Sequence, residues 1–215
     1  MTAPDHVRIL VADSHPIVRL GVADSIHTEP DLKVTGEAAS GDEVISLLRK
    51  HQYDVILLDI AMPGKNGLDT LHAIRQIEPA PAVLIFSEYP ESLYAISMLR
   101  AGAKGFISKS DPPAALTGAI RRVASGNHYL SDATLNQLVS QVTLSSDRPM
   151  HETLSAREFQ IFYRIAIGQD PMQIAKELNL SAKTVSSYRS GILQKMGFGS
   201  NADLIRYAIR VGIVK

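Results

Sequence analysis

The chain contains no cysteine, which excludes disulfides, thiolate metal sites and cysteine nucleophiles. Long apolar runs are also missing: none approaches the ~18 residues needed to span a bilayer. Met1-Thr2-Ala3-Pro4-Asp5 leads straight into a strand-like segment, without the basic-then-apolar layout of a signal peptide. A cytoplasmic protein with no membrane partner is the expectation. Neither G-x-G-x-x-G nor G-x-x-x-x-G-K-[ST] occurs, which argues against a nucleotide-binding enzyme. Net charge is absent overall, with 22 basic and 22 acidic side chains. Its distribution is uneven, however. Residues 151–215 hold 9 Lys+Arg against 5 Asp+Glu, which leaves 13 against 17 for residues 1–150. A basic carboxyl-terminal third suits a polyanion partner for that part alone, although a solvated surface shows such a bias too.

What is present fits a soluble globular chain of one or two domains: 215 residues, 45% apolar and 20% charged. Val7–Ala12, Val55–Leu58 and Ala82–Phe86 are short, continuous apolar runs, as buried parallel strands are. Val34–Glu37 and Gly105–Ser108 are weaker runs of the same kind. Segments of helical period separate them, entered at Pro16, Gly41-Asp42, Asn66, Glu91 and Pro112-Pro113. Five alternations within about 125 residues predict a doubly wound α/β fold with a five-stranded parallel sheet.

Residues 128–150 change character: a short helical stretch runs into the Ser-rich Thr143–Met150, a linker composition. Beyond it every segment reads as helix. Ser155 with Glu158 forms a capping-box signature, Asp170-Pro171 opens a second helix, Ser181 caps a third that Gly197 ends, and Asn201 is placed to cap a fourth running through Gly212. The predicted layout is therefore an α/β domain over 1–127, a linker with a short helix over 128–150, and an all-α four-helix domain over 151–215.

In an open parallel sheet, ligands sit outside the carboxyl ends of the strands. Asp13, Asp59, Ser87 and Lys109 stand at four of those ends. Strands commonly stop in polar residues, but four of complementary chemistry at successive tips favour a site. The set suits phosphoryl transfer to a carboxylate, with a divalent cation, an ammonium and a hydroxyl sharing the phosphoryl charge.

With those residues in place, 7–125 resembles the receiver domains of two-component response regulators. Leu58-Asp59-Ile60-Ala61-Met62-Pro63-Gly64, followed by Gly67, is similar to the loop around the phosphoacceptor. The resemblance implies that Asp59 accepts the phosphoryl group, that Asp13, Asp59 and the Ala61 backbone carbonyl hold Mg²⁺, that Ser87 and Lys109 bind the phosphoryl oxygens, and that Phe106 turns inward on activation. One departure stands out. Where the family usually has two adjacent acids after the first strand, this chain has Asp13-Ser14, and the lost charge predicts weak Mg²⁺ binding. His15 reads as a helix-start or surface residue rather than a ligand.

In the carboxyl-terminal region, Met172–Leu178, a short turn and a helix from Ala182 form a layout that can place its second helix in the major groove. Val185, Ile192, Leu193 and Met196 repeat at helical spacing and face inward. Lys183, Thr184, Ser186, Ser187, Arg189 and Ser190 are left facing outward, a face that suits either DNA or plain solvation. Residues 154–215 resemble the LuxR-type DNA-binding domain, through Leu154-Ser155-Ala156-Arg157-Glu158, Gly168, Ile174-Ala175, Lys183-Thr184-Val185 and Lys195-Met196-Gly197. In that family the positions of Ser186, Ser187 and Ser190 face bases; Tyr188 stands where histidine is commonest. Receiver plus this module is the NarL/FixJ architecture. It implies a promoter-binding transcription regulator, a cognate sensor histidine kinase and a homodimer when active. A phosphorylation-independent regulator is the alternative that Ser14 supports. A phosphatase of related chemistry would want an acid two residues after the nucleophile, where Ala61 stands, so no enzyme is expected.

Overall fold

The computed structural model describes residues 6–63, 67–143, 149–178 and 180–214. Expectations placed on Gly64, Asn66, Asn179 and the linker stretch 144–148 lie outside these. The chain divides into two compact units, Met1–Leu138 and Val139–Lys215, described separately below.

The first unit is built of β1 (Val7–Ala12), α1 (Pro16–His27), β2 (Leu32–Ala38), α2 (Gly41–Leu48), β3 (Val55–Leu58), α3 (Gly67–Ile74), β4 (Ala82–Ser87), α4 (Glu91–Arg100), β5 (Gly105–Ser108) and α5 (Pro113–Ala124), with α6 (Asp132–Thr143) following. All strand pairs are parallel, in the order β2-β1-β3-β4-β5. The order reverses between β1 and β3, which opens a crevice at their carboxyl ends. Alternate residues of each strand point to opposite faces. Ile9, Val11, Val55, Leu57, Leu84, Phe86 and Ile107 pack with Val22 and Ile26 of α1 and Leu116, Ile120 and Val123 of α5. Their neighbours Leu10, Ile56, Leu58, Ile85 and Phe106 are equally buried, on the other face. Burial on both sides is why the central strands read as continuous apolar runs.

Beyond α5 the chain returns to the sheet. Tyr129 donates its N–H to the Lys104 carbonyl (3.0 Å) and accepts from the Phe106 N–H (3.1 Å). Glu91, at the start of α4, accepts from the Ser131 N–H (3.1 Å) and the Thr134 hydroxyl (2.7 Å). Residues 128–138, which the composition assigns to the linker, therefore bond within the first unit, and the boundary between units falls inside α6.

The second unit comprises a 3-10 turn (Met150–Thr153), α7 (Ala156–Ala166), α8 (Pro171–Glu177), α9 (Ala182–Met196) and α10 (Asn201–Arg210). The capping box of α7 forms as expected: Ser155 Oγ accepts from the Glu158 N–H, and the Glu158 carboxylate from the Ser155 N–H. Asp170 caps α8, and Gly197 ends α9 in the left-handed region at φ 66°. The cap of α10 is Ser200 rather than Asn201. Ser200 holds the extended backbone a cap needs and accepts from the Asp203 N–H, whereas Asn201 is already helical and its Oδ1 is engaged by Arg189 Nε at 2.5 Å. The helix ends at Arg210, two residues before Gly212. An aromatic cluster of Phe159, Phe162, Phe198 and Tyr207, with ring centroids 5.5–6.3 Å apart, fills the core. Buried Arg157 donates to the Leu178 carbonyl at 3.0 Å, which satisfies the end of α8.

Candidate functional site

At the crevice, β1 and β3 end in Asp13 and Asp59, which are 0% and 1% exposed. Lys109, just past β5, reaches across with Nζ 2.6 Å from Asp13 Oδ2 and 3.1 Å from Asp59 Oδ2. Its placement follows from the backbone, because the Lys109 N–H donates to the Ser87 carbonyl at 2.9 Å and so ties the β5 tip to that of β4. Gly67 brings α3 close beneath. A Cβ there would lie 2.7 Å from the Asp59 carbonyl oxygen and from Ile60 Cα. Only a residue without a side chain lets the helix begin against the loop that carries Asp59.

Two carboxylates facing one ammonium leave the pocket one negative charge in excess. Burial pushes the Asp59 carboxyl above its ordinary range; Lys109 opposes that shift and Asp13 adds to it. Burial alone would lower the Lys109 ammonium, but Asp59 and Asp13 outweigh it and hold the group above its usual value. Asp59 Oδ1 is buried without a hydrogen-bond partner. An orphaned acceptor in an electron-rich pocket is what a hard cation would satisfy, so Asp13 and Asp59 fit a divalent ion bound by oxygen.

Other expected residues stand differently. Ser87 is buried at the β4 tip, where its Oγ accepts from the Tyr89 N–H at 3.3 Å and so belongs to its own loop in this state. Phe106, on β5, is buried at 1% exposure. Ser14 is half-buried at the crevice rim. His15 is the N-cap residue of α1 and exposed, as a helix-start residue should be, yet its Nδ1 lies 3.1 Å from Asp13 Oδ1. Arg19, overlooked in the sequence, donates to the Asp13 carbonyl at 2.8 Å and to Glu37 at 2.9 Å. Its only signal was its place one helical turn beyond His15.

On α9, Val185, Ile192 and Met196 are buried and Leu193 is half-buried. Lys183, Ser186, Ser187 and Ser190 are exposed; Thr184, Tyr188 and Arg189 are half-buried. Arg189 is partly committed to Asn201, which departs from its expected place on the outward face. Ser187 and Ser190 donate back to the carbonyls of Lys183 and Ser186, both at 3.1 Å. Those bonds leave the hydroxyl oxygens facing outward as acceptors.

Two family models match: "Response regulator receiver domain" over residues 9–121 and "Bacterial regulatory proteins, luxR family" over 152–208. The chain is a LuxR-type response regulator. It is 33% identical to the response regulator UvrY of Escherichia coli K12, over 96% of this chain and 95% of that one. It is also 33% identical to the oxygen regulatory protein NreC of Staphylococcus carnosus, over 95% and 97%. The regulator shares its fold with RcsB of Salmonella enterica serovar Typhimurium, solved bound to promoter rprA with a phosphomimetic (TM-score 0.63, 24% identity, 94% and 98% coverage). The family consists of DNA-binding transcriptional regulators, not enzymes. Receiver domains generally bind Mg²⁺ at the phosphorylation site. Among the described residues of this regulator, no helix is long and apolar enough to cross a membrane.

Proposed function

We propose that this regulator binds promoter DNA under the control of an acyl phosphate formed on Asp59, supplied by a sensor histidine kinase in the cytoplasm. The observation that carries the reading is the Asp13–Lys109–Asp59 cluster at the switch point of the sheet, with one Asp59 oxygen turned to the lysine and the other unpartnered. In the transfer, an Asp59 oxygen attacks phosphorus and the donor's bond to phosphorus breaks. Lys109 follows the charge onto a phosphoryl oxygen, and Ser87, released from Tyr89, donates to another. A cation held by Asp13, Asp59 and the Ala61 carbonyl would neutralise the incoming oxygens, weakly here because Ser14 adds no charge.

Residues 1–127 act as the receiver, 128–150 as the linker and 151–215 as the DNA-binding domain, with Lys183, Thr184, Ser186, Ser187, Tyr188, Arg189 and Ser190 of α9 meeting the duplex. Lys183 suits phosphates and the serines suit base edges. The exposure of Lys183 and the three serines supports this assignment. So does RcsB, which in another structure forms two dimers on two parallel DNAs, and the active form of this chain is accordingly a homodimer. Acetyl phosphate should raise affinity for genomically selected DNA in the parent and not in Asp59→Ala. Equal responses would leave a regulator controlled without phosphate.

A further inference from the structure

Ser14 leaves the pocket one acid short of the family's usual pair, and the following residue stands at the gap. The His15 backbone N–H donates to Asp13 Oδ1 at 2.8 Å, and its ring Nδ1 lies 3.1 Å from the same oxygen. One ligand atom each from Asp13, His15 and Asp59 lie within 4.8 Å of one another. Ligands of one ion with bonds of about 2.1 Å stand about 3.0 Å apart when adjacent and about 4.2 Å when opposite, so side-chain adjustment on the order of an ångström brings all three onto one ion. A second observation points the same way. Lys109 takes the Oδ2 atoms of both carboxylates, while Asp59 Oδ1 is unpartnered in a residue 1% exposed. Lysine therefore engages one oxygen of each carboxylate; His15 meets the other oxygen of Asp13, and Asp59 Oδ1 is left for a cation. The His15 ring makes no capping bond to α1, and its one close partner is Asp13 Oδ1, a contact that a shared ion would replace.

We propose that His15 is a ligand of the divalent cation at this site, completing an oxygen–oxygen–nitrogen set with Asp13 and Asp59 that favours transition ions such as Mn²⁺ over Mg²⁺. The proposal rests on the reading of Asp13 and Asp59 as cation ligands. Without an ion, Nδ1 donates to Asp13; with one bound, a neutral imidazole whose proton has moved to Nε2 would present the Nδ1 lone pair to it. Mg²⁺ prefers hard oxygen donors and retains its waters, whereas first-row transition ions accept imidazole readily. Replacing the second acid by serine lowers the charge available to Mg²⁺ and leaves the nitrogen donor in reach. The chain thus exchanges a charge-selected site for one selected by ligand type.

The test is Mn²⁺ titration of the full-length protein by electron paramagnetic resonance, with Mg²⁺ competition and pulsed detection of nitrogen coupling to bound Mn²⁺. The parent should bind Mn²⁺ at least about tenfold tighter than Mg²⁺, with a nitrogen coupling. His15→Ala should lose that coupling and about tenfold or more in Mn²⁺ affinity, the scale on which even supporting groups of metal sites act. Its Mg²⁺ affinity should hold within about twofold, and its circular dichroism should match the parent. Mn²⁺ binding without nitrogen coupling, unchanged in His15→Ala but abolished in Asp59→Asn, would overturn the role of His15 and leave the acidic-pocket reading intact. Binding that survives Asp59→Asn, or none in either the parent or Ser14→Asp, would overturn both.

Discussion

Replacing Lys109 by Met keeps an aliphatic stem of similar length and removes only the charge. The ammonium stands 2.6 Å from one buried carboxylate and 3.1 Å from another. At an effective dielectric of about 20 the two attractions are roughly 6 and 5 kcal/mol. Much of this is offset by the cost of desolvating a side chain that is only 14% exposed, and removing one partner of such a buried cluster typically costs about 3–5 kcal/mol net. Because Lys109 titrates above its ordinary value, its contribution is fully present at neutral pH and is lost only as pH rises through that raised pKa. In Lys109→Met the Asp59 carboxyl, already raised by burial, loses its counter-charge and takes up a proton more readily. The deficit should therefore narrow as pH falls from 8 toward 5. Hydrogen exchange read peptide by peptide isolates the sheet from the second unit. Exchange in β3 peptides should accelerate roughly 100- to 4000-fold at neutral pH, at about 1.4 kcal/mol per decade, with α9 peptides unchanged. Asp59→Asn in the same background should recover most of the loss. A change below about 1 kcal/mol, or an equal loss in both backgrounds, would refute the view of these three groups as one electrostatic unit.

Gly67→Ala should cost about 1–3 kcal/mol by forcing the Asp59 loop aside and should abolish the proposed labelling by acetyl phosphate, whereas Gly118→Ala in α5, where a Cβ meets nothing within 4 Å, should be neutral or stabilising by up to about 1 kcal/mol in urea unfolding. Burial raises the Glu158 carboxyl, but Lys195 and Ser155 outweigh it and hold the group below its ordinary range, so its stabilisation is present above the unfolded pKa and lost as pH falls through the folded one. Glu158→Ala should thus cost about 1–2 kcal/mol at pH 7 and little near pH 3, measured by exchange in α7 peptides. Lys183→Ala should reduce the log–log salt dependence of DNA affinity by about 0.9 without changing sequence preference, measured by fluorescence anisotropy.

The sheet was legible in the sequence wherever strands are buried on both faces, because such strands must be continuously apolar. β2 read weakly because it is an edge strand: between buried Leu32 and Ala38, its Lys33, Thr35 and Glu37 are exposed and only Val34 and Gly36 half-buried. β5 read weakly because it is four residues long and begins with a glycine. The cluster residues Asp13, Asp59 and Lys109 were found from their places at strand tips alone. What pattern does not carry is the distribution of bonds among competing groups. Ser200 and Asn201 are both good caps, and the tertiary bond from Arg189 to Asn201 matches the choice of Ser200. Nothing local distinguishes the Ser131 and Thr134 that reach Glu91, forty and forty-three residues away, from ordinary linker polar residues.

The return of Tyr129 to the sheet has a mechanical consequence. Its backbone is stitched to Lys104 and Phe106 on the last strand, whose far end positions Lys109. A displacement of that strand by a new charge at Asp59 must either drag the stretch leading into α6 or sever two bonds. Gly105 makes dragging the easier course, since a side chain there would strike the Tyr129 carbonyl at 2.5 Å and hold the two segments apart. The strand that would sense the charge is in this way also the tether by which the connecting segment is pulled.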